Sequence, residues 1–446
     1  MGKNVTLEEM LAARENRALR QTQLIKQYGM PLISFTMNIA GPVKNSPLIR
    51  RGFEEGRRLL SGQLLRIGKK TEYTEEIFES TGCEGFYVVD HDAKSLKRIT
   101  CLIEDHAPLG RLFDMDVIDT DGVKLDRSEP RKCLICERPA KECSRSRRHS
   151  VQELADATET ILVEASDSAD CRRAAELAVR ALLYEVCITP KPGLVDRENS
   201  GSHSDMDIYT FMTSASVLQS YFRKCAAVGR KTSDLPASET FRQLRSIGMI
   251  AEGDMLSATG GVNVHKGAIF SLGTVCGALG RLERSSWKMS EIIMAEVSAM
   301  TKDAMEKDLS DISNYGARTR GESFYIEHGI SGVRGQIKDG FPAVTGHGLP
   351  VLEKALSDGR GNDAAGCAAL LAILADTEDT NMITRGGFEL YSNIKKCIGD
   401  MISSDALLSY EKLRELDQYF IEKNLSPGGS ADLMALCWML HFLKEA

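Results

Sequence analysis

Two aspartates one residue apart, Asp114 and Asp116 in GRLFDMDVID (Gly110–Asp119), interrupt an apolar run. Side chains at i and i+2 of a strand leave the same face, so the two carboxylates project together while Phe113, Met115 and Val117 face a core. Hard oxygen ligands paired on a rigid strand can hold Mg2+ over the phosphates of a substrate, and Gly110 with Arg111 allows close approach. The alternative is the solvated face of a half-buried strand. Asp121-Gly122 then turns the chain back into VKLDR, a hairpin signal. Just downstream, Cys133, Cys136, Cys143 and His149 have the C-x2-C…C…H spacing of a tetrahedral zinc site, with plain packing of scattered cysteines as the alternative.

Further acids and cations collect in glycine-rich stretches of the second half. TPKPGLVDRENSGSHSDMDIYTF (Thr189–Phe211) puts Asp196, His203, Asp205 and Asp207 within a dozen residues at a helix start. They are candidates for holding Mg2+ or moving protons, where ordinary capping would need only one of them. In ATGGVNVHKGAIFSLG, Gly260 and Gly261 precede His265 and Lys266 at the start of a small-residue helix. That suits a phosphate cradle or, equally, a helix–helix turn with two surface cations; no G-x-x-x-x-G-K-[ST] loop is present. DTNMITRGG supplies Arg385, Gly386 and Gly387, and LSPGGSADL supplies Gly428, Gly429 and Asp432 in the first turn of a final helix.

The elements that must carry these residues fall into two textures. The first 165 residues alternate helix and strand, predicting an α+β domain with a mixed or antiparallel sheet, of which a nucleotidyltransferase-like fold is one form. Leu7–Tyr28 has helical spacing; Leu32–Gly41, Gly85–Asp90 and Leu96–Glu104 have strand character, the last two as an antiparallel pair. ASDSAD (Ala165–Asp170) is expected as a linker, and residues 166–446 as an all-α domain of long helices broken by glycine loops. A length of 446 residues fits two or three domains. The longest apolar stretch, Ala364–Asp376, falls short of the ~20 residues that span a bilayer and reads as a buried helix. The opening residues carry no signal-peptide core, so a cytoplasmic protein with reduced core thiols is expected. Gly2 with Thr6, and Asn4, match short myristoylation and glycosylation patterns that carry no weight alone.

With these motifs in place, residues 10–165 resemble apo-citrate lyase phosphoribosyl-dephospho-CoA transferase, on FTMNIAGPVKNSPLIRRGF, PLGRLFDMDVID and RKCLICERPAKECSRSRRHS. The Gly, spacer, Asp-x-Asp order is similar to that of polymerase-β-like nucleotidyltransferases. Residues 175–446 resemble triphosphoribosyl-dephospho-CoA synthase, on PKPGLVD, SHSDMD, TGGVNVHKGAIFSLG, GFPAV, DTN…RGG and SPGGSADL. One departure is VRGQ, where Gln336 stands at a position expected to be glutamate. The second resemblance implies that ATP and 3′-dephospho-CoA give 2′-(5″-triphosphoribosyl)-3′-dephospho-CoA and adenine. The first implies transfer of that product to a serine of the apo-citrate lyase acyl carrier (gamma) subunit, with release of pyrophosphate.

Under this reading Asp114 and Asp116 bind Mg2+, and Lys44 and Arg50 hold the leaving pyrophosphate or are simply solvated cations. An oxocarbenium-like centre forms in the synthase step, so carboxylates should flank it. Asp205 or Asp207 would then hold Mg2+ on the triphosphate, and Asp196 or His203 would take the hydroxyl proton. His265 and Lys266 would hold phosphates, with Asp432 completing the pocket. Malonate decarboxylase has an equivalent enzyme pair, which is the nearest alternative. A non-catalytic carrier-protein assembly factor is a more distant one, and would not need both acid clusters. Seven Lys or Arg against three acids lie between Glu129 and Ser150, a docking face for an acidic carrier protein and CoA phosphates or a nucleic-acid ribbon. The net charge of −7 favours the protein partner. A gel-shift assay with random nucleic acid at physiological salt should accordingly show no complex.

Overall fold

Alternating apolar residues build the first sheet, as the period of two requires. In the computed structural model, which describes residues 3–136, 138–317, 320–403 and 409–445, the strands are β1 (Leu32–Met37), β2 (Tyr73–Glu79), β3 (Gly82–Val88) and β4 (Phe113–Ile118). They run antiparallel in the order β2-β3-β1-β4, and Thr36 pairs with Asp114 and Ser34 with Asp116. Gly2 of the myristoylation-like start lies outside the described residues. Helices α1 (Leu7–Tyr28), α2 (Pro47–Arg66) and α3 (Ala93–His106) complete the layers, followed by the short α4 (Ala140–Arg145). Ile33, Phe35, Phe113, Met115 and Val117 form one core with Phe53 of α2 and Leu96 of α3. Phe35 stacks on Phe53 at 4.5 Å and meets Phe113 edge-on at 5.4 Å, favoured ring geometries. The other face buries Leu32, Phe86, Val88 and Ile118 against Leu24 and Ile25 of α1.

Two local expectations are overturned. Leu96–Glu104 is helical, inside α3: its buried positions Leu96, Ile99, Thr100 and Ile103 follow the helical period. Asp92 caps that helix by accepting from the Ser95 N–H. The β-branched residues imitate a strand, and tertiary packing overrides their propensity. After β4 the chain does turn at Gly122, but its return is a single bridge between Ile118 and Lys124 rather than a second strand.

The chain separates into two compact units, Met1–Ser168 and Ala169–Ala446. The expected linker Ala165–Asp170 is helical, within α5 (Val151–Cys187). The second unit is helical: α6 (Ile208–Lys231), α7 (Ala237–Ala258), α8 (Lys266–Arg281), α9 (Ser290–Tyr315), α10 (Arg320–His328) and α11 (Gly332–Lys338) come first. Then follow α12 (Leu349–Ser357), α13 (Gly361–Asp376), α14 (Thr380–Ser403), α15 (Tyr410–Glu422) and α16 (Gly428–Glu445). The apolar stretch ending at Asp376 is indeed a buried helix, α13. No helix among the described residues is long and apolar enough to cross a membrane.

Helix α8 is buried around its circumference, which its Ala, Gly and Ser content permits. Backbones of α6 and α8 touch: a Cβ on Gly280 would lie 2.0 Å from the Ala226 carbonyl oxygen, and one on Gly229 would lie 2.0 Å from that of Gly277. Gly253 of α7 faces open space. Gly280→Ala should therefore cost the helical unit about 1–3 kcal/mol by overpacking, despite alanine's better helix propensity. Gly253→Ala should gain up to ~1 kcal/mol from the same propensity. Thermal and denaturant unfolding of the two variants would check the opposite signs.

Candidate active sites

In the first unit, β4 presents Asp114 and Asp116 on the face away from Phe113, Met115 and Val117, with side chains 43% and 24% exposed. The turn at Gly122 brings Lys124 Nζ to 2.5 Å from Asp116 Oδ2. Arg131 lies 3.3 Å from Asp114 Oδ1 and also ion-pairs with Glu104. Glu104 is the buried hub here: it accepts from the Met115 N–H at 2.7 Å and pairs with Arg127 at 3.4 Å. Burial raises its pKa, against the pull of Arg131 and the Met115 N–H. Nothing in the sequence singles Glu104 out, since its role comes from α3 packing on β4.

Lys44 lies in the loop after β1 and Arg50 in α2, away from the Asp114–Asp116 strand. Lys44 donates to Ile39 O at 2.5 Å, and burial lowers its pKa. Arg50 donates to Asn45 Oδ1 at 2.8 Å and covers Phe78 at 5.7 Å. The Arg111 guanidinium donates to the carbonyls of Lys132 and Cys133, tying β4 to the cysteine segment. Sγ of Cys133, Cys136 and Cys143 and a ring nitrogen of His149 all lie within 4.8 Å of one another, a cluster able to hold a metal ion.

In the second unit, several separate stretches of the chain converge on a cavity of about 580 Å³. It is lined by Glu185, Lys191, His203, Asp205, His265, Lys266, Gln336, Asp379, Arg385, Gly428, Gly429, Ser430 and Asp432, among others. Gln336 therefore lines the wall as an amide, its Oε1 accepting from Ala343 N at 3.2 Å.

The acids of the cavity differ in how they are held. Asp432 points at the start of α8, where a Cβ on Gly267 would lie 1.8 Å from its Oδ2. Its pKa is raised well above the usual range by burial, then by Glu185 and Asp379. Asp379 accepts from the N–H groups of Asn381, Met382 and Ser430 and from the Ser430 hydroxyl, which locks the start of α14 to that of α16. Glu185 pairs with Lys191 Nζ at 2.5 Å, the lysine side chain being 0% exposed. Asp379 and Lys191 lie in the DTN and PKPGLVD motifs without having been singled out there, and Glu185 carried no signal, because burial is not written in residue type.

Other expected residues are placed as follows. Asp196 accepts from the N–H groups of Lys191, Glu198 and Asn199 and does not line the cavity. Asp207 is the N-cap of α6, accepting from Thr210 N at 2.9 Å and Thr210 Oγ1 at 2.8 Å, and it too lies off the cavity. Asp205 is at the rim, 61% exposed and 3.8 Å from His203. Gly260 and Gly261, both at positive φ, turn the chain between α7 and α8 outside the cavity lining. Lys266 lines it while pairing with Glu252 at 3.0 Å. Arg385 donates to Ser202 O at 2.8 Å and lies 3.3 Å from His203 Nδ1. Gly386 packs against Leu425, and Gly387 breaks the helical path of α14 at φ 81°.

Two histidines face the cavity. His203 Nε2 lies 2.9 Å from Ser426 Oγ, and burial with Arg385 lowers its pKa. His265 Nδ1 lies 2.7 Å from Ser214 Oγ, while its Nε2 has no hydrogen-bond partner among the described residues. Burial, assisted by Lys191, pushes its pKa down to about 3, which keeps the imidazole neutral.

Residues 171–446 match the family ATP:dephospho-CoA triphosphoribosyl transferase (CitG). Residues 5–165 match apo-citrate lyase phosphoribosyl-dephospho-CoA transferase (CitX). Protein CitXG of Haemophilus influenzae is 33% identical over 98% of this chain and 96% of its own. Protein CitXG of Leuconostoc mesenteroides subsp. cremoris is 34% identical over the same shares. The 2-(5″-triphosphoribosyl)-3′-dephosphocoenzyme-A synthase of Pectobacterium atrosepticum is 40% identical over 58% of this chain and 86% of its own.

The His265 geometry predicts a pH effect with a definite sign. Its folded pKa lies below the free value near 6.5, so its neutral form costs nothing above that pH. As pH falls below 6.5 the unfolded chain binds a proton that the folded chain refuses, and stability drops by at most about 1.4 kcal/mol per pH unit. Melting temperatures between pH 7 and 5 should fall more steeply for the wild type than for His265→Asn.

Proposed function

The chain belongs to the family of CitXG proteins, which fuse the two enzymes that make and attach the citrate lyase prosthetic group, and from that premise we propose how named residues divide the work. Synthesis is assigned to residues 166–446 and attachment to residues 1–165. The match of the first half to the citrate lyase transferase supports citrate lyase over malonate decarboxylase as the system served. The partner is then the apo-citrate lyase acyl carrier (gamma) subunit, met by the cations of Glu129–Ser150.

The observation that carries the synthase reading is the convergence of the PKPG, SHSD, VHKG, DTN and PGGSAD stretches on one cavity. The 2′-hydroxyl of 3′-dephospho-CoA attacks the anomeric carbon of ATP; the new C–O bond forms as the bond to adenine breaks. His203 is held unprotonated by burial and Arg385 and accepts the hydroxyl proton. Asp432 keeps its proton under burial and two neighbouring carboxylates, and delivers it to the departing adenine. Arg385, Lys266 and the N–H groups at the start of α16 receive the triphosphate. Asp205 has a carboxylate open to solvent at the rim and is the acid suited to Mg2+; Asp207 and Asp196 are committed to backbone N–H groups and are structural in this reading. Bound Mg2+ would neutralise phosphate charge.

For attachment, the carrier serine oxygen attacks the α-phosphate; the P–O bond to the pyrophosphate breaks and pyrophosphate leaves. Asp114 and Asp116 share a strand face and keep exposed oxygens, which fits Mg2+, with Lys124 and Arg131 beside them to meet phosphate oxygens. Lys44, in the loop after β1, and Arg50, in α2, are left out of this step.

A crossed pair of variants tests the division. Asp432→Asn should slow adenine release by about 10²–10⁴-fold, the range for a lost general acid, yet still load carrier from supplied triphosphoribosyl-dephospho-CoA. Asp114→Asn should do the reverse, with adenine followed by chromatography and carrier by mass. Equal losses in both assays from either variant would overturn the assignment.

A further inference from the structure

The Cys133, Cys136, Cys143 and His149 cluster has no part in the chemistry above, yet the chain goes to some length to assemble it. Cys133 and Cys136 stand on a tight turn closed by Cys133 N to Arg138 O at 2.8 Å and Ala140 N to Arg131 O at 2.7 Å. Pro139 bridges to Lys132 across that turn. Cys143 comes from α4, and Arg147 takes a left-handed φ of 46° just after it. Arg148 N donates to Cys143 O at 3.1 Å, and this reversal returns His149 to the sulfurs. The result is Cys136 Sγ 3.4 Å from both Cys143 Sγ and His149 Nε2.

These spacings suit one chemistry. A tetrahedral zinc ion with bonds of about 2.3 Å to sulfur and 2.0–2.1 Å to nitrogen has ligand–ligand edges of roughly 3.5–3.8 Å. The sulfurs are too far apart for a disulfide of about 2.05 Å. Three thiols and an imidazole with no carboxylate select zinc over magnesium or calcium. Four protein ligands leave no open position, so such a site is structural and not catalytic.

What it would hold in place is the floor of the attachment site. Arg111, which leads into β4, donates to the carbonyls of Lys132 and Cys133, the first ligand itself. Arg131, two residues before Cys133, reaches both Glu104 and Asp114. We propose that Cys133, Cys136, Cys143 and His149 bind one Zn2+ per chain, and that this ion fixes Arg131 and Arg111 against the Asp114–Asp116 strand. The positioning half of the proposal rests on the assignment of attachment to that strand; the metal site itself does not.

Elemental analysis of the full chain purified without added metal should give one zinc per chain. Exchange for cobalt should give the intense thiolate–cobalt absorption of a tetrahedral sulfur-rich site. His149→Ala and Cys143→Ser should lose the metal and at least ten-fold in carrier loading, with adenine release unchanged, while His149→Cys should retain zinc. If His149→Ala does not fold, the metal content and cobalt spectrum of the wild type still decide the matter. A zinc-free wild type, or a Cys136–Cys143 disulfide in it, overturns the site. Full carrier loading by a zinc-free variant overturns the positioning role. Zinc on a wild type that loads no carrier upholds the site and counts against the attachment reading instead.

Discussion

The helical unit's cavity depends on the contact between the Asp432 carboxylate and the first turn of α8. Gly267 leaves room for that oxygen where any side chain would collide, and the Ala268 N–H is directed at the carboxylate. The contact brings α16 against α8, which begins far earlier in the sequence. Such burial is expensive, since a desolvated carboxylate forfeits several kcal/mol of hydration. The neighbours divide that cost differently: four donors satisfy Asp379, and Lys191 neutralises Glu185. Asp432 has the least compensation, so burial raises its pKa furthest of the three.

The first unit solves the opposite problem. Its buried acid, Glu104, is a strut between α3, β4 and two arginines. The acids left open to substrate, Asp114 and Asp116, remain on the surface of the sheet with cations at their sides. Here the scaffold carboxylate is inside, and the carboxylates proposed for Mg2+ are partly exposed.

How much of this was legible depends on how local the cause is. The pairing of Asp114 with Asp116 follows from the strand period alone, and the sheet shows it, as it shows the burial of Phe113, Met115 and Val117. The capping role of Asp207 was available from its position at a helix start. Leu96–Glu104 misled because its β-branched residues favour a strand, while the face it packs against lies elsewhere in the sequence. His265 beside Lys266 looked like a pair of phosphate cations; only the fold reveals that the imidazole is buried next to Lys191 and stays neutral. Gly260 and Gly261 looked like a cradle, whereas the glycine at the carboxylate is Gly267. Glu104 and Glu185 were invisible, and the partner role of Lys191 in the PKPGLVD motif with them, because an ion pair inside a protein has the same letters as one in water.

The contrast between the two units explains why one chain needs two sites and not one adaptable site. Breaking the bond between adenine and ribose places charge on a leaving base, and a carboxyl that holds its proton near neutrality can relieve it. Displacing pyrophosphate leaves a polyanion with no nitrogen to protonate, and it calls for ionised oxygens that can share a cation. An aspartate cannot be both at one pH in one environment. Burial among other carboxylates raises the pKa of Asp432 well above the usual range, whereas Asp114 and Asp116 lie partly exposed on a strand face beside Lys124 and Arg131. Two compact units therefore give the same side chain a buried setting in one and a partly exposed setting in the other, and a fusion supplies both without asking either environment to change.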